Sequence, residues 1–186
     1  MQDLITRKAT YADLEAVPPH LVAEILGGKL VTHPRPAPRH AEIHFTLSYE
    51  LGGPFRKGIG GPGGWRFMVE PELHLDEDVA VPELAGWRLE RMSELPQTAY
   101  IETPPDWLCE ILSPSTEKYD RGDKRDIYAR AGVKHLWLLD PRVKCLEVFE
   151  LNGGRWQLMG THHGDAGFRA VPFDAVELNL GDLWPL

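Results

Sequence analysis

Pro105-Asp106-Trp107-Leu108-Cys109-Glu110-Ile111-Leu112-Ser113-Pro114-Ser115-Thr116 decides how this chain folds. An apolar run of strand length, Trp107 to Leu112, carries one acid, Glu110, and stops at a Ser-Pro turn. A carboxylate inside a buried strand costs several kcal/mol to desolvate unless a cation or a metal meets it. The helix expected next, Asp120 to Ala131 with Gly132 as its stop, brings Lys124 and Tyr128. Upstream, a second acid, Glu83, stands in a similar setting within Asp78-Val79-Ala80-Val81-Pro82-Glu83-Leu84-Ala85. Two strand carboxylates and a lysine point to a hydrolytic metal site. The alternative is structural: Glu110 neutralised by Lys124 as a buried ion pair, and Glu83 at a strand end.

Outward from this block, His135 to Leu139 reads as another central strand. Leu146 to Leu151 and Arg155 to Met159 read as a hairpin across Asn152-Gly153-Gly154. On the other side, Trp65 to Leu75 and Asp78 to Trp87 are expected to pair antiparallel around Asp76-Glu77. The segment 52–64 holds seven glycines and two prolines and reads as a loop. No Gly-Lys-Ser/Thr follows it, so it is not a phosphate-binding loop. Arg39 to Leu51 spaces Ile43, Leu47 and Leu51 as one face of a helix. Leu21 to Leu26 and Lys29 to Thr32 flank Gly27-Gly28 as a further hairpin, after a short helix from Thr10 to Val17. Together these predict an α/β fold, a mixed β-sheet flanked by helices with extra β-hairpins, in a single domain over residues 1–186.

A chain of 186 residues buries roughly 70% of its unfolded surface, enough for a substantial core. Charged residues at 26% and hydrophobic residues at 42% are ordinary for a soluble domain, and no apolar run approaches the ~18 residues of a membrane span. The N-terminus lacks the basic-then-apolar order of a signal peptide, so a cytoplasmic location is the expectation. Cys109 and Cys145 lie in apolar runs and read as core residues. The net charge of −8 argues against a broad basic surface for duplex DNA, although Arg35 with Arg39, Arg56 with Lys57, and Lys118 to Arg125 concentrate positive charge locally. The tryptophans, scattered through strands, read as core rather than as a base-stacking platform.

The block Glu110-Ile-Leu-Ser-Pro-Ser-Thr116, then Asp120-Arg121-Gly122, Lys124, Tyr128-Ala-Arg-Ala-Gly-Val133 and Leu136-Trp-Leu-Leu-Asp-Pro141, resembles the Uma-two family of restriction-endonuclease-like proteins in the PD-(D/E)XK nuclease superfamily. The resemblance extends through Ala23 to Val31, Pro38-Arg39-His40 and Val81-Pro82-Glu83-Leu84. It implies a restriction-endonuclease-like core, metal-holding carboxylates at Glu83 and Glu110, an acid at Glu24, and a catalytic lysine. Glu83 stands where the family usually has aspartate. Position 112, two residues after the second acid, is leucine rather than the superfamily's lysine, and Lys124 on the following helix takes that place.

The expected activity is metal-dependent phosphodiester hydrolysis of nucleic acid, DNA foremost, with Mg2+ or Mn2+ as cofactor. Glu83 and Glu110 are the expected ligands, Lys124 the charge stabiliser, and Glu24 and His40 supporting residues. A strand-end surface acid remains the other reading of Glu24, and a solvent-facing histidine that of His40. A homodimer is expected, because cutting both strands of a duplex calls for two sites. The rival function is a catalytically silent or partner-dependent nuclease-fold module acting through protein contacts.

Overall fold

A computed structural model describes residues 7–184. Helix α1 (Tyr11–Glu15) starts where the Asp13 carboxylate accepts from the Thr10 N–H at 2.8 Å. Strands β1 (Leu21–Leu26) and β2 (Lys29–Pro34) form the expected hairpin. Helix α2 (Pro38–Leu51) opens on its proline, which needs no N–H partner in the first turn, and runs into a π-helical turn at Gly52–Arg56. Its buried face is Ile43, His44, Leu47 and Leu51. That face is narrower than the apolar pattern predicts, for Phe45 and Tyr49 are each 72% exposed.

The long antiparallel pair expected around Asp76-Glu77 is broken in two. Strand β3 (Trp65–Val69) pairs with β6 (Leu84–Arg88), while β4 (Leu73–Leu75) pairs with β5 (Asp78–Ala80) in a different sheet. Pro71 and Pro82 sit at the breaks, where a residue without an N–H cannot continue a ladder. Gly86 lies at the centre of β6, and a Cβ there would approach Phe67 to 3.0 Å and Trp107 to 3.2 Å.

Strand β7 (Trp107–Ile111) is central and buried throughout. The helix expected over Asp120 to Ala131 is two helices, α3 (Glu117–Asp120) and α4 (Asp123–Arg130). They bend at Gly122, where a Cβ would sit 2.7 Å from the Lys118 carbonyl oxygen. They connect β7 to its parallel neighbour β8 (His135–Asp140). The final hairpin is β9 (Cys145–Asn152) and β10 (Arg155–His163). A short pair follows, β11 (Gly167–Phe168) with β12 (Leu178–Asn179), then a 3-10 turn at Leu180–Leu183.

The six-stranded sheet runs β10-β9-β8-β7-β6-β3 and the four-stranded sheet β2-β1-β5-β4. Alternation along β7 builds a core on each face of the larger sheet. Trp107, Cys109 and Ile111 pack with α2 and with Phe168, Phe173 and Leu180 of the C-terminal segment. Leu108 and Leu112 pack with α4 residues Ile127 and Tyr128 and with Leu26, Val31 and Ala80 of the smaller sheet. Trp65, Trp87, Trp107 and Trp137 are fully buried, as the core reading expects. Among the described residues, no helix is long and apolar enough to cross a membrane.

Candidate active site

Glu110 shares the β7 face of Leu108 and Leu112, which aims its carboxylate at α4. There Lys124, 3% exposed, places its ammonium 2.9 Å from Glu110 Oε1, 3.1 Å from Glu24 Oε1 and 3.3 Å from Asp120 Oδ1. The Tyr128 hydroxyl donates to Glu110 Oε1 at 2.6 Å. The Lys124 ammonium also donates to the Val81 carbonyl at 3.3 Å, and the Val81 N–H donates to Glu24 Oε1 at 2.8 Å. Residue 81 is thus held from both sides, two positions before Glu83.

One ammonium faces three carboxylates out of water. Burial pushes Glu110 up to about 8, against the pull of Lys124 and with the push of Asp120. Burial also raises Asp120. For Glu24 burial acts in the same direction, yet Lys124, His33 and the Val81 N–H together bring its carboxyl down to about 2. Burial disfavours the charge on Lys124, but Glu110 and Glu24 hold the ammonium well above its usual range. The two glutamates move in opposite directions because Glu24 receives donors from His33 and the Val81 N–H besides Lys124, whereas burial dominates at Glu110.

A second cluster forms around Glu83, which lies outside the strands, between β5 and β6, rather than within a strand as its apolar surroundings predict. Its Oε1 is 2.8 Å from His40 Nε2, close but without the alignment of a hydrogen bond, and its Oε2 is 3.7 Å from His44 Nδ1. Ligand atoms of His44, Glu70 and Glu83 all lie within 4.8 Å of one another. Burial pushes the His44 imidazole below its usual value, with Glu83 and Glu70 opposing. Glu83 Oε2, His40 Nε2 and His44 Nε2 are buried without a hydrogen-bond partner.

A cleft of about 400 Å³ opens on this side, lined by His33, Arg35, Arg39, His40, Glu83 and the Ser113-Pro114-Ser115-Thr116 turn. His33 links it to the buried lysine, for its Nε2 is 3.4 Å from Glu24 Oε2. A larger hollow of about 560 Å³ lies between β3 and residues 95–101, and Glu70 reaches it. The polar residues concentrate at the smaller cleft, which makes it the better candidate.

The five residues singled out from sequence therefore fall into two adjoining groups: Glu24, Glu110 and Lys124 together, and Glu83 with His40. Glu24, at 2% exposure, is not a surface acid, and His40 faces Glu83 rather than solvent. Sequence reasoning missed His33, His44, Glu70 and the contact of Asp120 with Lys124. His33 shares a strand face with buried Val31, and Asp120 precedes Lys124 by four residues, so both signals were present. Glu70 gave none.

No curated protein matches this chain. A crystal structure from Anabaena variabilis ATCC 29413, described as that of a "putative nuclease belonging to DUF820", superposes with a TM-score of 0.75 at 19% identity. The match covers 94% of this chain and 97% of that one, and it shows a shared fold. The family model named Uma2, described as "Putative restriction endonuclease", matches residues 9–181. The chain belongs to the Uma2 family.

Proposed function

We propose that this protein is a metal-dependent endonuclease that hydrolyses phosphodiester bonds of nucleic acid, DNA foremost, at the cleft beside Glu83. One observation carries the reading: a buried lysine, held by Glu24 and Glu110, is tied through Val81 to the segment that delivers Glu83 to the cleft. Glu83 and Glu110 are the carboxylates proposed to hold Mg2+ or Mn2+, and they fit on two grounds. Glu83 keeps an unpartnered buried oxygen, and the cluster around Glu110 holds more carboxylates than cations. When bound, the ion would polarise a phosphoryl oxygen and make water a better nucleophile.

The chain's own residues account for the rest. Lys124 carries its positive charge in a water-poor setting, where it stabilises negative charge developing on the phosphoryl group more strongly than an exposed lysine would. Glu24 acts by positioning, fixing the ammonium through Oε1 and the Val81 backbone through the same atom. His40 sits against Glu83 and orients it. Arg35 and Arg39 line the cleft and suit the flanking phosphates, which offsets locally the acidity of the whole chain.

The saturation of Lys124 by three carboxylates favours a second reading, a nuclease-fold module without catalysis. A cleavage assay over single- and double-stranded DNA and RNA, with Mg2+ or Mn2+, separates the two. Cleavage by the wild type, lost by ~10²-fold or more in Glu83→Gln and Glu110→Gln, is the expected result. Equal activity in wild type and both variants would assign it to a contaminant and leave the silent module ahead.

A further inference from the structure

We propose that His44, Glu70 and Glu83 form a divalent-cation site of mixed nitrogen and oxygen ligands, selective for an ion that accepts imidazole, with Mn2+ as the reference ion. The site shares Glu83 with the ligand pair assigned above but uses neither Glu110 nor Lys124. It rests on that reading only for its link to hydrolysis.

Three elements meet here: α2 brings His44, the bend after β3 brings Glu70, and the entry to β6 brings Glu83. The Glu70 N–H donates to the Glu83 carbonyl at 3.0 Å, which continues the β3–β6 ladder one step and pins the two acids side by side. Among the described residues, no lysine or arginine pairs with either carboxylate, and the close partners of Glu83 are the two histidines. The contrast with Glu24, Glu110 and Asp120 is direct, because those three surround an ammonium. Two adjacent carboxylates without a cation repel.

An independent observation points to a ligand. His44 is 7% exposed, yet its Nε2 is buried with no hydrogen-bond partner, and the Glu83 Oε2 facing its ring is also unpartnered. Buried polar atoms are nearly always satisfied, so the orphan Glu83 Oε2 beside the His44 ring marks a missing partner. A cation among the three ligand atoms supplies a partner to Glu83 Oε2, which His44 Nδ1 faces at 3.7 Å. His40, against the other oxygen of Glu83, supports the carboxylate from outside, as groups around metal ligands commonly do.

The donor set selects the ion. Mg2+ prefers all-oxygen octahedral ligation, whereas imidazole suits the later first-row ions and Mn2+ accepts both donor types. Mn2+ should therefore bind more tightly than Mg2+.

Mn2+ titration of the metal-free protein, followed by electron paramagnetic resonance, tests the assignment. The expected result is a bound Mn2+ whose spectrum shows 14N coupling from a coordinated imidazole. His44→Gln should abolish that coupling, and Glu70→Gln should weaken binding about 10-fold or more. Glu110→Gln should leave the nitrogen coupling in place. Circular dichroism checks that each variant folds; if His44→Gln does not, Glu70→Gln decides. Absence of nitrogen coupling in the wild type, its persistence in folded His44→Gln, or unchanged affinity in Glu70→Gln overturns the site. Binding lost in Glu110→Gln but kept in Glu70→Gln overturns it while leaving the Glu83–Glu110 assignment standing. No bound Mn2+ in the wild type also overturns it, and the cleavage assay then tests the nuclease reading separately.

Discussion

Glu83 and Glu110 stand one step beyond Leu84 and Cys109, the last paired residues of β6 and β7 at that end, and from these neighbouring backbones their carboxylates part. Glu83 turns to the histidines of α2, and Glu110 turns to the lysine of α4. A ligand shared by both acids must draw Glu110 away from part of its present company, and the energetics of that company can be measured.

Replacing Lys124 by methionine leaves three carboxylates out of water without their ammonium. Lys124→Met is expected to lose about 3–5 kcal/mol at neutral pH, read by urea denaturation. Above pH 8, where Glu110 is ionised, adding Glu110→Gln should recover part of the loss, with a coupling on the order of 1 kcal/mol or more. Purely additive effects would mean that the two groups do not interact.

The metal-free protein should lose stability between about pH 4.5 and about 8 through Glu110. Its carboxyl ionises near its ordinary value of 4.5 when unfolded but only at about 8 when folded, so the unfolded chain releases the proton first and gains as pH rises. Glu24 works in the opposite sense at lower pH. Folded, it ionises at about 2, so its contribution is complete above 4.5 and fades as pH falls toward 2. Urea melts of wild type and Glu110→Gln at pH 5 and 8.5 isolate the first effect, on the order of a few kcal/mol. Parallel pH profiles for the two proteins would refute it.

Because burial pushes Glu110 up to about 8, a cation that uses this carboxylate is expected to displace a proton from the cluster. Calorimetric titration with Mn2+ in buffers of different ionisation enthalpy should show proton release near pH 7, and the melting temperature should rise with metal concentration. Glu110→Gln should remove the proton release. A wild-type titration at pH 7 with no buffer dependence would remove Glu110 from the ligand set.

A duplex presents two strands, and two-fold pairing is the commonest way for a small chain to offer two sites. We therefore expect a homodimer. The i, i+4 pair Phe45 and Tyr49 on the solvent side of α2 is the first face to test. Light scattering should give twice the chain mass of 21.0 kDa, and Phe45→Ser with Tyr49→Ser should return it to one chain. A wild-type mass of one chain at micromolar concentration would count against pairing.

Much of this could be read from sequence because the chemistry is local there. The apolar run around Glu110, the turn and the helix with Lys124 are contiguous, and the Gly-Gly hairpins declare themselves. Tertiary pairing decided the rest. Trp65 to Leu75 reads as one strand because apolar residues recur along it from Trp65 to Leu75, although Pro71 and Pro82 mark where the ladder cannot continue. The companions of Glu83 were hidden for a different reason. The period of α2 tells that position 44 faces inward but not what it meets, and Glu70 comes to Glu83 only through the β3–β6 register.

The lysine cluster also has a history within each molecule. Glu24, Val81 and Lys124 come from widely separated parts of the chain, so the cluster closes long loops and cannot form until the smaller sheet meets α4. Until then, Lys124 and its acids remain solvated. The final desolvation of these charges is thus a late toll on the folding route, and a chain that has not docked its N-terminal hairpin has no assembled lysine cluster.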